Sequence, residues 1–95
     1  MSPPDPTSME RLRQAADRLT RVRRAHEQSE LGLAQLQQSR ERFIHSLRNT
    51  GLSYAQAKLK FDNCLEEQRR LQERIAHELD YAERFYAHQA LGLPA

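Results

Sequence analysis

From Leu12 onward, apolar residues return every three or four positions, the spacing that gives an amphipathic helix one sticky face. One row is Leu12, Leu19, His26, Leu33, Arg40 and Leu47, and the row three residues on is Ala15, Val22, Ser29, Leu36 and Phe43. The register never slips, which predicts a single helix over residues 8–48, with Thr7 or Ser8 as N-cap and Glu10 in the first turn, where a carboxylate favours the helix dipole. Asn49-Thr50-Gly51 interrupts the pattern and predicts a turn over 49–52. Ser53 with Gln56 three residues later forms a capping-box signature that opens a second helix over 53–90. Its seam row is Tyr54, Phe61, Gln68, Ile75, Ala82 and Gln89, while the companion row drifts from Ala57, Cys64 and Leu71 to Leu79 and Tyr86. Three prolines before Thr7 predict a disordered, Pro-rich leader over 1–7, and residues 92–95 are expected as a tail.

Two helices of similar length joined by a short loop favour an antiparallel two-helix coiled-coil hairpin over 8–91, an all-α fold. Placing Leu47 opposite Tyr54 brings Leu36 near Leu65, Leu19 near Ala82, Val22 near Leu79, Ala15 near Tyr86 and Phe43 near Lys58. His26, Ser29, Gln68 and Gln72 then form a polar middle, a device that fixes register at a cost in stability. Apolar residues are left over at both ends: Ile44, Leu52 and Leu59 near the turn, and Tyr81, Phe85, Leu91 and Leu93 near the free ends. One narrow seam is a small core for 95 residues. Either these residues merely widen the hairpin's own core at its ends, or, as favoured, the hairpin is completed by self-association or by a partner, with Phe43, Ile44, Leu59, Tyr81, Phe85 and Tyr86 as the contacts.

Composition sharpens the fold. Only 38% of residues are hydrophobic, and most of these are the 13 Leu and 11 Ala; one Val, two Ile and three Thr leave little for a sheet. Single Cys64 cannot close an internal disulfide and no C-x-x-C pair is present, so the chain reads as reduced and cytoplasmic. No apolar run approaches the length of a membrane span, so membrane insertion is not expected.

Net charge is only +2, but Arg11, Arg13, Arg18, Arg21, Arg23 and Arg24 fall within 14 residues against one acid, Asp17. Such a strip could follow phosphates, with Arg21, Arg23 and Arg24 as the candidate nucleic-acid contacts. The favoured alternative is a solvated face paired with Glu73, Glu78, Asp80 and Glu83 of the second helix, because no aromatic residue interleaves the arginines along the chain. The hairpin pairing also brings His26 and His77 together, with Glu30 and Glu73 nearby. That could hold a divalent metal, but a solvated or seam histidine is the simpler reading and no metal or other cofactor is expected. No Gly-rich phosphate loop and no nucleophile with a base at recognisable spacing is present, and Glu66-Glu67 reads as a solvated face, so the chain is not expected to be an enzyme.

Residues Arg18 to Gln28, then Gln35-Leu-Gln-Gln-Ser-Arg-Glu-Arg-Phe43, Thr50-Gly-Leu-Ser-Tyr-Ala-Gln56 and Leu65-Glu-Glu-Gln-Arg-Arg-Leu-Gln72, make a basic helical opening, a turn and a returning helix. Over about residues 18–75 this resembles the small coiled-coil stalk and escort proteins of flagellar and type III secretion export machinery. The chain is much shorter than those stalks, and the resemblance implies an export-apparatus component or a helical escort for secreted proteins. Secreted WXG-type dimers and secretion needle subunits fit less well, since no Trp-x-Gly occurs and the bend carries no proline. The sequence thus predicts a non-enzymatic coiled-coil interaction or adaptor protein, with a nucleic-acid-binding or regulatory module as the alternative.

Overall fold

A computed structural model describes residues 6–92 of the chain. Residues 1–5 and 93–95, which hold most of the expected leader and tail, lie outside the described residues. The protein is all-α, with α1 spanning Pro6–Gln38, α2 Arg40–Asn49 and α3 Tyr54–Leu91, and no strand occurs among the described residues. Helix α1 starts earlier than the leader expectation allowed: Pro6 and Thr7 are already helical. Proline suits this position because a first-turn amide has no intrahelical acceptor and the ring fixes φ near the helical value.

The single helix expected over 8–48 is instead divided at Ser39, whose φ of −91° and ψ of 7° lie in the bridge region beside the helical one. Its amide is shared between the carbonyls of Gln35 (3.0 Å) and Leu36 (3.2 Å), and its hydroxyl donates to the Leu36 carbonyl at 3.0 Å. A serine that bonds back to the preceding turn competes with the backbone ladder and bends it. The amide of Phe43 donates to the Ser39 carbonyl at 2.9 Å, so a new helix begins one residue later.

At the end of α2, the amides of Thr50 and Gly51 donate to the carbonyls of Leu47 and Arg48, and the Thr50 hydroxyl adds a 2.6 Å bond to Leu47. Gly51 takes a φ of +102°, a conformation that side-chain-bearing residues rarely adopt. The capping box then forms as the sequence spacing predicts. The Ser53 amide donates to Gln56 Oε1 at 3.0 Å, and the Gln56 amide donates to Ser53 Oγ at 3.2 Å. Each bond satisfies an amide that the start of α3 would otherwise leave open.

The chain divides into two compact units, one formed by Glu27–Arg74 and the other by the described residues up to His26 together with those from Ile75. In the 27–74 unit, Ile44, Ala57 and Phe61 are buried, with Leu36, Phe43, Leu47 and Leu65 packed against them. Phe43 meets Phe61 edge to face, ring centres 5.4 Å apart, rather than Lys58. The displacement is about one helical turn, as expected once the break at Ser39 rephases α2. Ile44, expected on a contact surface, is only 3% exposed and belongs to the core. Tyr54, expected in the seam, stays exposed at the start of α3, while Ala57 takes the buried position one turn later.

Ser29 is buried, Gln68 and Gln72 are half-buried, and among the described residues no buried side-chain nitrogen or oxygen lacks a hydrogen-bond partner. Gly32 sits within this polar stretch of α1, and a methyl group added to it would meet nothing closer than Gln68 Oε1, at 4.0 Å. Mid-helix glycine costs about 0.5–1 kcal/mol relative to alanine. Gly32→Ala should therefore raise stability by about that amount, read as a higher urea midpoint with an unchanged slope; a loss of stability would show that the space beside Gln68 is already filled.

The other unit has a smaller core of Ala15, Leu19 and Ala82, all buried. Alanine at two of these three positions lets backbones approach closely but removes little apolar surface from water.

Candidate functional site

The feature that stands apart from ordinary helix packing lies in this second unit. Tyr81 and Phe85, one turn apart on α3, stack with ring centres 6.1 Å apart and planes 17° from parallel. The Arg18 guanidinium of α1 sits over the Tyr81 ring at 5.3 Å. Tyr81 is 56% and Phe85 38% exposed, unusual for two large aromatic residues unless something covers them. Beside them runs an open groove of about 370 Å³, lined by Arg11, Gln14, Ala15, Arg18, Arg21 and Phe85. Helical spacing accounts for this set, since positions 11, 15 and 18, like 14, 18 and 21, fall on one face of α1. Among the described residues, no carboxylate lines this groove.

A second groove in the same unit has a different character. Its walls carry Ala16, Leu19, Thr20, Arg23, Glu83 and Tyr86, and Arg23 faces Glu83 at 3.9 Å across exposed side chains. An exposed pair at that distance adds little stability, but it neutralises the groove. The expected pairing of the arginine strip with α3 is thus limited. Asp80 bonds Arg84 of its own helix at 3.1 Å, Arg13 bonds Glu10, and Arg11, Arg21 and Arg24 form no ion pair among the described residues.

The residues expected to bind a partner therefore fall into separate groups. Tyr81 and Phe85 share the cationic face, and Tyr86 is half-buried in the neutral groove. Ile44 is internal, while Phe43 packs on Phe61 and is half-buried beside an open groove that it lines with Ser39, Arg42, Ser46 and Leu47. Leu59 is 61% exposed on α3 in the 27–74 unit. Of the three arginines proposed for nucleic acid, Arg21 lines the first groove, Arg23 the second, and Arg24 is exposed. Arg11 and Arg18, which complete the cationic face, were not among them; their spacing from Ala15 and Arg21 along one helical face was the available signal.

In the 27–74 unit, Arg40 lies over the Phe61 ring at 5.9 Å and bonds Glu41 at 3.1 Å, and Arg48 lies over Tyr54 at 6.0 Å. The neighbouring Tyr54 hydroxyl, and then Glu41, raise the Arg40 pKa above its ordinary value. A depression of about 540 Å³ in this unit is walled by Gln35, Gln38, Gln68 and Arg42 around the Ser39 break and gathers no reactive pair. Among the described residues, no three His, Cys, Asp or Glu side chains are grouped to hold a metal ion. Among the described residues, no helix is long and apolar enough to cross a membrane.

Compared with known proteins, the chain matches no protein-family model, no curated protein and no solved structure.

Proposed function

We propose that this chain is a non-enzymatic helical interaction protein, folded as an antiparallel hairpin, that binds its partner through the face formed by Arg11, Arg18, Arg21, Tyr81 and Phe85. The observation that carries this reading is the exposed Tyr81–Phe85 stack under Arg18. Tyr, Phe and Arg are the residue types that anchor protein interfaces, because they bring large contact area or a directional charge at modest entropic cost. Support for the hairpin comes from the 27–74 unit, where contacts step backward along α3 as they step forward through α1 and α2: Gly32 lies by Gln68, Phe43 by Phe61 and Arg48 by Tyr54. An export-apparatus component or escort, as the sequence resemblance implies, is one role that such a module could fill.

The reading predicts that light scattering across concentration, or affinity purification of the full chain from its native cell, detects an assembly that Tyr81→Ala with Phe85→Ala removes. Loss of both rings should weaken a one-to-one contact by about 2 kcal/mol or more, roughly thirtyfold. A chain that stays monomeric at every concentration, and whose retained proteins ignore the double substitution, would sink the proposal.

The Arg18–Tyr81 contact also supports a second reading. Aromatic rings beside unpaired arginines can stack unpaired bases while the cations hold phosphates. Binding to single-stranded oligo(dT) that falls steeply with salt would favour it.

A further inference from the structure

The cationic face has a geometry that narrows its occupant, on the assumption that the interaction reading above holds. We infer that it receives an acidic amphipathic helix of a partner protein, whose carboxylates are spaced seven and then three residues apart.

Three observations lead there. Among the described residues, the groove beside Phe85 is lined by Arg11, Arg18 and Arg21 with no carboxylate, whereas the other groove of the same unit holds Glu83 against Arg23. Charge complementarity thus sends an anionic surface to the first groove and not to the second. Along α1, Arg11 stands seven residues before Arg18, which stands three before Arg21, so the cations recur at about 10 Å and then about 5 Å. A helix running alongside has the same rise, so carboxylates at the same residue spacing meet all three arginines on one of its faces. An extended peptide, advancing about 3.3 Å per residue with alternating sides, does not match that rhythm. Finally, the floor between Arg11 and Arg18 is the methyl group of Ala15, buried in its unit, and the wall is the half-exposed ring of Phe85. That ring, 38% exposed, provides the apolar anchor that an amphipathic helix needs.

The test measures fluorescence anisotropy of the full chain with two labelled helical peptides of identical composition and net charge. One peptide carries Glu at the seven-and-three spacing beside a Leu stripe, and the other carries the same Glu residues permuted around the helix. The matched peptide should bind at least about tenfold more tightly, a difference of about 1.4 kcal/mol. Arg11→Gln, Arg18→Gln and Arg21→Gln together should abolish that difference, and Arg23→Gln should leave it. All four side chains are exposed, so unchanged helicity by circular dichroism is expected and is checked in each variant. Equal affinity for both peptides overturns the inference, as does tighter binding of oligo(dT) that depends on the same three arginines. If both peptides fail while a purified partner or self-assembly is still lost with Tyr81→Ala and Phe85→Ala, the helix assignment falls and the interaction reading stands. If that double substitution changes nothing either, both fall.

Discussion

Phe61→Ala should destabilise the protein by about 3–5 kcal/mol, the range for deleting a buried aromatic ring. Phe61 is 2% exposed and is the largest fully buried side chain among the described residues. Its ring takes the edge of Phe43 at 5.4 Å and the Arg40 guanidinium at 5.9 Å, so alanine would remove apolar burial, an aromatic pair and a cation–π contact together. The space left behind is bounded by Ile44 and Ala57 in the same cluster, and Ala57 is too small to fill it. Against a total stability of about 5–15 kcal/mol for a domain, such a loss is a large share. Urea unfolding followed by helicity should show a much lower midpoint, while Leu59→Ala, on an exposed side chain, should stay within about 0.5 kcal/mol of the unaltered chain. A loss below about 1 kcal/mol for Phe61→Ala would mean that this cluster does not hold the 27–74 unit together.

The helical class and the start of α3 were legible in the sequence because both depend on neighbours along the chain. Heptad spacing fixes which residues share a face, and the Ser53 and Gln56 capping bonds span three residues. The break at Ser39 was hidden by the same heptads. Leu33, Leu36, Phe43 and Leu47 keep their register across it, so the apolar pattern carries no trace of one serine that bonds back to Leu36. That break also explains why Ile44 was misplaced: counted from the unbroken register it flanks the seam beside Phe43, but in α2 it turns into the core with Ala57 and Phe61. The cationic aromatic face was illegible for another reason. Its aromatic residues lie on α3 and its arginines on α1, so a search for aromatics interleaved among the arginines finds none, although Arg18 rests on Tyr81.

Ala82→Asp should be the most damaging single change to the unit that carries this face, and its effect should depend on pH. Ala82 is 2% exposed in a core whose other buried residues are Ala15 and Leu19, and none of the three offers a hydrogen-bond donor from its side chain. A one-carbon stem is too short to lift the new carboxylate into water, so folding would have to desolvate it. Burial disfavours the charged form and raises the folded-state pKa above the unfolded value of about 3.9. A raised folded pKa makes the ionisation penalty negligible below about pH 4 and increasingly severe as pH rises from there to the folded value, the range in which the unfolded chain alone ionises; above it the penalty levels off. Each tenfold loss of acidity on folding costs about 1.4 kcal/mol at neutral pH, so a carboxyl made roughly a hundredfold to a thousandfold less acidic costs about 3–4 kcal/mol at pH 7. Ala82→Asn is the control, similar in size and polarity but without a charge. The stability gap between the two variants should be widest at neutral pH and close on acidification, and the Asp variant should lose binding at the Tyr81–Phe85 face at pH 7 before the Asn variant does. A gap that is small and flat with pH would place position 82 in contact with solvent and remove the close helix approach on which the cationic groove depends.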